Sequence, residues 1–237
     1  MIKFDLISAY LIHAKSFRET SLLIDFFTKE HGFIKSIAKG VRTPGKNNQR
    51  GLLQPFSNLL ISCRGRNELM ALSNVEIAAQ PYYFTGKRLA IAFYCNELLY
   101  YFGCKSPGVI FEDLFDHYQQ LLASLANFDD FGNIEYRLRE FELDLLTALG
   151  YGLQFNNLEA DKYYGFDFVN GFILSNPQEL NNNLSKKINL EGELLLNIMQ
   201  RNWDVATLQA AKKLIRAILQ YHLGGQELHS RKLLILE

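Results

Sequence analysis

Residues 18–56 read RETSLLIDFFTKEHG, FIKSIAKG, VRTPGKNNQRG and LLQPF, and the rest of the chain is organised around them. No acidic residue occurs between Glu30 and Glu68, whereas Lys35, Lys39, Arg42, Lys46, Arg50, Arg64 and Arg66 all fall in that window. Short apolar runs flank a Gly, Pro and Asn-bearing loop at residues 40–51. Cations set on a strand-rich segment in this way form a groove able to follow a phosphate backbone.

Working outward, the segments near 4–12, 19–28, 33–39, 52–63 and 67–78 are rich in Ile, Leu, Phe and Thr and are separated by turn residues. In the second, Leu22, Ile24 and Phe26 share one face, and Thr20 and Thr28 continue the alternation. Five short strands within about 80 residues, carrying a cationic loop, match the dimensions of an OB-fold barrel, which binds oligonucleotides. In the third strand Phe33, Lys35 and Ile37 share one side, and periodicity leaves open which side is buried.

From about residue 82 the apolar period lengthens to that of helices. Residues 87–102 are apolar nearly all round, interrupted by Asn96 and Glu97, and read as a buried helix. Helices follow at 109–126 and 133–149, the second stopped by Gly150 as a C-terminal cap. Residues 163–168, Asn170-Gly171 and 172–174 form a two-residue hairpin signal, bounded by a polar loop at 176–183. Helix returns at 190–201 and again after Asp204, an N-cap, as far as His222. On that last helix Leu208, Ala211, Ile215 and Leu219 form the dry stripe and Gln209, Lys213, Arg216 and Gln220 the wet one. The fold expected is α+β: a barrel over residues 1–80, then a mostly helical domain over 81–237 with a β-hairpin insertion around 151–185.

Composition narrows the function further. Lysine plus arginine balance aspartate plus glutamate, 25 against 25, so a binder held by total positive charge is excluded. Charge is instead segregated: Glu112, Asp113, Asp116, Asp129, Asp130, Glu135, Glu140, Glu142 and Asp144 make the middle acidic while the start is basic. The three cysteines, Cys63, Cys95 and Cys104, are widely spaced and read as reduced core residues of a cytoplasmic protein. Asp5 breaks the opening apolar run too early for a signal peptide, and no run approaches the length a bilayer needs.

Taken in order, RETSLLIDFFTKEHG, AKGVRTPG, LQPF, RGRNEL, NELL at 96–99, REFELDLLTALGYG at 139–152 and AAKKLIRAILQYHLGGQELHSRKLL near the end resemble RecO, the bacterial recombination mediator family. The resemblance implies an N-terminal OB-fold, a helical domain, and DNA repair and recombination after DNA damage through the RecF pathway. It implies binding of single- and double-stranded DNA, annealing of complementary strands, and help in loading recombinase onto DNA coated by single-strand-binding protein. RecR and the C-terminal tail of that coating protein are the implied partners, with Arg139 matched to a residue that meets the tail. Arg139 also stands at i±3 or i±4 from Glu142 and Glu135, so an intrahelical pair is an equal reading. Many family members hold zinc with four cysteines after the Gly-Tyr-Gly turn. Here no cysteine follows Cys104, and His222 and His229 make no ligand set, so a zinc-free insertion and no cofactor are expected.

The residues show no catalytic frame. Gly45-Lys46 is followed by Asn47, so no phosphate-binding loop is formed, and Cys63 has no nearby histidine in sequence. The expectation is a non-enzymatic binder in which Lys35, Lys39, Arg42, Lys46, Arg50, Arg64 and Arg66 neutralise phosphates and Phe33 or Phe56 offers a stacking surface. A protein scaffold and a metal-dependent nuclease are the alternatives. Lys212, Lys213 and Arg216 read as an ordinary solvated helix face.

Overall fold

Strand β1 (Ile2–Phe17) serves two neighbours: its first half pairs antiparallel with β4 (Asn58–Gly65), its second half with β2 (Ser21–Thr28). A strand with both duties must bend, and register shifts between Phe4 and Ile7 and between Leu11 and His13 supply the bend. At the first, Leu6 takes φ 51° and its N–H donates to Ser62 Oγ at 3.1 Å, while that hydroxyl donates to Asp5 at 3.0 Å. β3 (Gly32–Ala38) continues from β2, and β5 (Leu69–Ile77) lies parallel to β3 and antiparallel to β4. The order β1-β2-β3-β5-β4 closes a barrel, the five-stranded OB-fold that the sequence leads one to expect.

The structure is a computed structural model that describes residues 2–43, 49–66, 68–103, 109, 111–127, 131–176 and 188–230. Contacts divide the chain into two compact units, Met1–Phe128 with Leu228–Glu237, and Asp129–Glu227. The last barrel strand ends at Ile77, and the unit that contains the barrel runs on through two helices.

Inside the barrel lie Ala9, Ile24, Phe26, Leu59, Ile61 and Cys63, with Ser36 Oγ 3.3 Å from the Cys63 sulfur. Burial pushes the Cys63 thiol above its usual pKa, so it is an inert packing residue. A short helix, α1 (Gln49–Leu52), stands where a fourth strand from residue 52 was expected. Leu53 behind it enters the barrel core, and Phe56 turns the chain at φ 64° before β4 begins at Asn58.

The outer surface of β1, β2 and β3 carries a row of rings. Tyr10 lies opposite Phe27 and Phe27 opposite Phe33, so the three align across the strands. Helix α3 (Glu112–Asn127) presents Phe115 and Tyr118, preceded by Phe111, and lays them on that row. Tyr10 is 5.3 Å from Phe115 and 5.0 Å from Tyr118, Phe27 is 5.4 Å from Phe115, and Phe33 is 6.1 Å from Phe111. The i, i+4, i+7 spacing of Phe111, Phe115 and Tyr118 makes that stripe. Helix α2 (Gly86–Gly103) is buried on most sides, as its composition predicts, and ends with Gly103 against the Phe33 ring. The Tyr118 hydroxyl donates to Asn96 of α2. Glu97 accepts the N–H groups of His229 and Ser230 at 2.7 and 2.9 Å, so residues near the chain's end return to α2.

In the second unit α4 (Phe131–Ala148) ends before Gly150, whose φ of 79° is the cap conformation expected. Strands β6 (Tyr163–Asp167) and β7 (Gly171–Ser175) form the expected hairpin, with β8 (Ile188–Glu191) added on the other side of β6. The turn is longer than the two residues expected, because Asp167 pairs with Gly171 and leaves three between them. Asp167 Oδ1 accepts from the N–H groups of Val169 and Asn170, and Gly171 takes φ 76°. Helix α5 (Gly192–Gln200) starts two residues later than expected because Ile188–Glu191 pairs as strand. Helix α6 (Val205–His222) is capped by Asp204, which accepts the Thr207 N–H at 2.6 Å. Its dry face is broader than expected: Ala211, Ile215 and Leu219 are joined by Ala210, Leu214 and Ile218, and Leu208 is half-buried. The expected wet stripe is exposed throughout.

A Cβ added at Gly103 falls 2.0 Å from the Phe33 ring, which is itself stacked on Phe27 at 4.7 Å. Gly103→Ala is therefore expected to destabilise the protein by about 1–3 kcal/mol in urea melts. The Thr207 N–H holds the Asp204 carboxyl below its usual pKa. That contribution to stability is present above the unfolded carboxyl's pKa and is lost as pH falls through the lowered folded value. Asp204→Ala is expected to lower the melting temperature at pH 7, with the deficit shrinking below about pH 4.

Candidate nucleic-acid interface

Register decides which cations can act together. Lys15 lies opposite Leu23, Leu23 opposite Ile37, Ile37 opposite Ala71, Ala71 opposite Arg64, and Arg64 opposite Lys3. Neighbours on the same strands, Ile24, Ala38, Met70 and Cys63, point into the core, so this row runs round the outside of the barrel. Five steps take it once round the closed barrel, so it begins at Lys15 and ends at Lys3, both on β1. Its ends are cationic and its middle is half-buried aliphatic. The adjoining row is His13, Asp25, Lys35 and Leu69, and the one beyond it is Tyr10, Phe27 and Phe33, covered by α3. The outer face therefore grades from aromatic and covered to basic and open.

Against that surface the seven cations expected from the sequence divide. Lys35 and Arg64 sit on the two outer rows, and Arg66 is exposed just past β4. Lys39 and Arg42 follow β3, and Arg50 projects from α1. The Arg42 guanidinium donates to the Arg18 carbonyl at 3.2 Å, and its N–H donates to the Thr20 carbonyl, so this group adjoins the turn between β1 and β2. Lys46 lies outside the described residues. Lys39, Arg50, Arg64 and Arg66 engage no acid among the described residues. Lys35 does: its Nζ is 3.6 Å from Asp25, a buried carboxylate that also meets His13 Nδ1 at 3.3 Å. The barrel's contact with an acid of the helices, Lys29 to Asp116 at 2.7 Å, uses none of the seven.

Three further cations belong with the site. Lys3 and Lys15 share the Arg64 row, and Arg18 stands beside Arg42. Lys15 and Arg18 pair with no acid among the described residues, and Lys3 meets Asp5 at 3.4 Å in full exposure, a contact worth little. Strand alternation puts Lys3 and Lys15 on an outer face, but their meeting with Arg64 depends on strand order.

The two rings expected to offer stacking surfaces do not. Phe56 is buried between Phe84 at 5.5 Å and Phe93 at 5.1 Å, and Phe33 is held by Phe27, Phe111 and Gly103. Both rings close the barrel against α2 and α3. The open row offers cations and aliphatics without an aromatic, which suits contact with sugar and phosphate.

Family models agree over the whole of this architecture. Recombination protein O N terminal matches residues 3–81 and Recombination protein O C terminal matches residues 83–232. The chain belongs to the RecO family. Among its relatives are the DNA repair protein RecO of Actinobacillus pleuropneumoniae serotype 7, 38% identical with 94% of this chain and 92% of the relative covered, and that of Pseudoalteromonas atlantica, 37% identical with 96% and 92% covered. The Yersinia enterocolitica protein of the same name is 35% identical, with 95% and 92% covered. It is a DNA repair protein of that family, with the OB-fold barrel as its N-terminal domain.

Two residue roles implied by membership in RecO meet this geometry differently. Arg139 is buried in the second unit with its Nη1 3.0 Å from Glu142, the intrahelical pair that the sequence offers as one of its two readings. In the insertion after α4, as elsewhere among the described residues, no three His, Cys, Asp or Glu side chains are grouped as metal ligands. The insertion is packed by Phe172 against Phe155 at 5.4 Å and Phe166 at 5.1 Å, with the Tyr164 hydroxyl accepting the Glu159 N–H at 2.9 Å.

Removing one member of a buried ion pair strands the other. Arg139→Ala is expected to cost about 3–5 kcal/mol in urea melts, and replacing both partners, Arg139→Met with Glu142→Leu, to recover most of it.

Proposed function

We propose that the chain is a non-enzymatic recombination mediator of the RecF pathway, which binds single- and double-stranded DNA, anneals complementary strands and helps load recombinase onto DNA coated by single-strand-binding protein. One observation carries the reading: Arg64 and Lys3 are cross-strand partners on the outside of the barrel, Lys15 stands exposed at the other end of the same row, and Lys15, Lys39, Arg50, Arg64 and Arg66 engage no acid among the described residues. Neutralising phosphates there lowers the repulsion between two strands, and annealing follows from that. Binding is expected to be nearly independent of sequence, because exposed cations and aliphatics meet phosphate and sugar, which carry no base identity.

The reading includes the family's partners, RecR and the acidic tail of the coating protein; a tail contact through Arg139 would have to open its pair with Glu142. It also includes action without a metal or other cofactor, supported by the aromatic packing that fills the insertion. It places the protein in the cytoplasm at the bacterial nucleoid, and no described helix is long and apolar enough to cross a membrane.

If about five cations meet single-stranded phosphate, log K is expected to fall against log salt with a slope of roughly −3 to −4 in fluorescence anisotropy. Lys15→Ala with Arg64→Ala is expected to flatten that slope by about 1.4 and to slow annealing in parallel. Likewise the triple variant Lys39→Ala, Arg42→Ala, Lys46→Ala is expected to lose annealing together with binding; normal annealing by either variant would remove that group from the interface. Incubation of labelled DNA with magnesium or manganese is expected to leave it uncut.

A further inference from the structure

The second unit carries a strip of rings that its core does not use. Phe168, in the loop between β6 and β7, lies flat on Tyr221 of α6, with centroids 4.1 Å apart and planes within 4°. Tyr221 meets His222 edge-on at 5.2 Å, and His222 stacks on Tyr151, of the turn after α4, at 3.7 Å. Three separate segments thus contribute to one ladder. It is solvent-facing: Phe168 is 41% exposed, Tyr221 50% and Tyr151 42%.

The strip is held in place. Asp167 fixes the loop bearing Phe168 by accepting from Val169, Asn170 N–H and the Asn170 amide, and Gly150 at φ 79° fixes the turn bearing Tyr151. Burial lowers the His222 pKa, so at neutral pH the ring is an uncharged member of the stack. Rings anchored by hydrogen-bonded turns and still open to water are pre-organised for a planar ligand.

Charge beside the ladder indicates which ligand. Lys213 and Arg216 lie on the exposed stripe of the same helix and make no side-chain ion pair or hydrogen bond among the described residues, whereas Lys212 beside them pairs with Glu135 at 3.0 Å. Lys213, Ala217 and Tyr221 succeed one another at i+4 spacing along one ridge, which puts the Lys213 position about 12 Å from the Tyr221 position. Flat rings for bases with free cations one or two nucleotides away are the two requirements of a single-strand platform.

We propose that Tyr151, Phe168, Tyr221 and His222, with Lys213 and Arg216, form a second nucleic-acid contact, on the helical unit, which takes the unstacked bases of a single strand. A duplex keeps its base faces covered and gains little from such a ladder. The barrel row tracks phosphates and the ladder grips bases, so one chain has two chemically different holds. The inference rests on the DNA-binding reading only for the identity of the polymer.

The test uses the full chain and a thymine oligonucleotide containing 5-bromouracil. Photocross-links are expected at Tyr151, Phe168, Tyr221 or His222; links confined to the barrel unit would overturn the proposal. Phe168→Ala with Tyr221→Ala is expected to weaken single-strand binding tenfold or more and leave duplex binding unchanged, whereas Lys15→Ala with Arg64→Ala weakens both. Because the Ala pair also removes packing, Tyr221→Phe is measured beside it and is expected to bind as the parent does. Lys213→Glu with Arg216→Glu, surface changes outside the packing, is expected to weaken single-strand binding at low salt. Undiminished affinity in the Ala pair and the Glu pair alike, or a changed sedimentation coefficient in place of a changed affinity, would assign the strip to a protein contact and sink the idea. Barrel variants that bind normally while the ladder variants fail would instead remove the proposed barrel interface and leave this one standing.

Discussion

The stacking of Phe111, Phe115 and Tyr118 on the row Tyr10, Phe27 and Phe33 governs how the first unit can be used. A small closed barrel has one continuous outside, and whatever covers part of it determines what remains. Burying rings of this size outweighs any single polar contact at the surface. The helices therefore take the aromatic part of β1, β2 and β3, and Lys15 of β1 and the Lys3–Arg64 pair of β1 and β4 stay exposed. Gly103 permits the arrangement, since any side chain there would collide with Phe33.

A chain with zero net charge can still present a strong local field if its acids are engaged elsewhere. Here Asp116 pairs with Lys29, Glu135 with Lys212, Asp144 with Arg201 and Glu142 with Arg139. The acids of those pairings all lie on helices, while Lys39, Arg50, Arg64 and Arg66 in the barrel unit keep their charge unmatched among the described residues. The Arg139 and Glu142 pair is different in kind, because both side chains are buried.

Much of this was legible in the sequence where the governing interactions are local. The five strands, the all-round apolar helix α2, the Gly150 cap and the Asp204 cap each follow from a handful of adjacent residues. What escaped depends on partners far along the chain. Phe33 looks like a free ring on an alternating strand until α3 arrives from residues 111–118. Lys3 and Lys15 look unrelated to Arg64 until the order β3-β5-β4 closes the barrel. Strand β8 escaped because Ile188-Asn189-Leu190-Glu191 runs straight into a helical pattern, and its pairing with β6 is what separates the two. The hairpin loop is longer by a residue than Asn170-Gly171 suggests, since the Asp167 side chain gathers the following N–H groups.

Glu97 gives the molecule an order of events. Its carboxylate is completed by the backbone of His229 and Ser230, 132 and 133 residues further on. Translation at about 5–20 residues per second leaves that carboxylate without its donors for roughly 7 to 27 seconds after it emerges. The barrel strands end at Ile77, so the barrel can close before the backbone groups that complete Glu97 have been made, and a nascent polypeptide halted in the second unit would carry a closed barrel on an unfinished support.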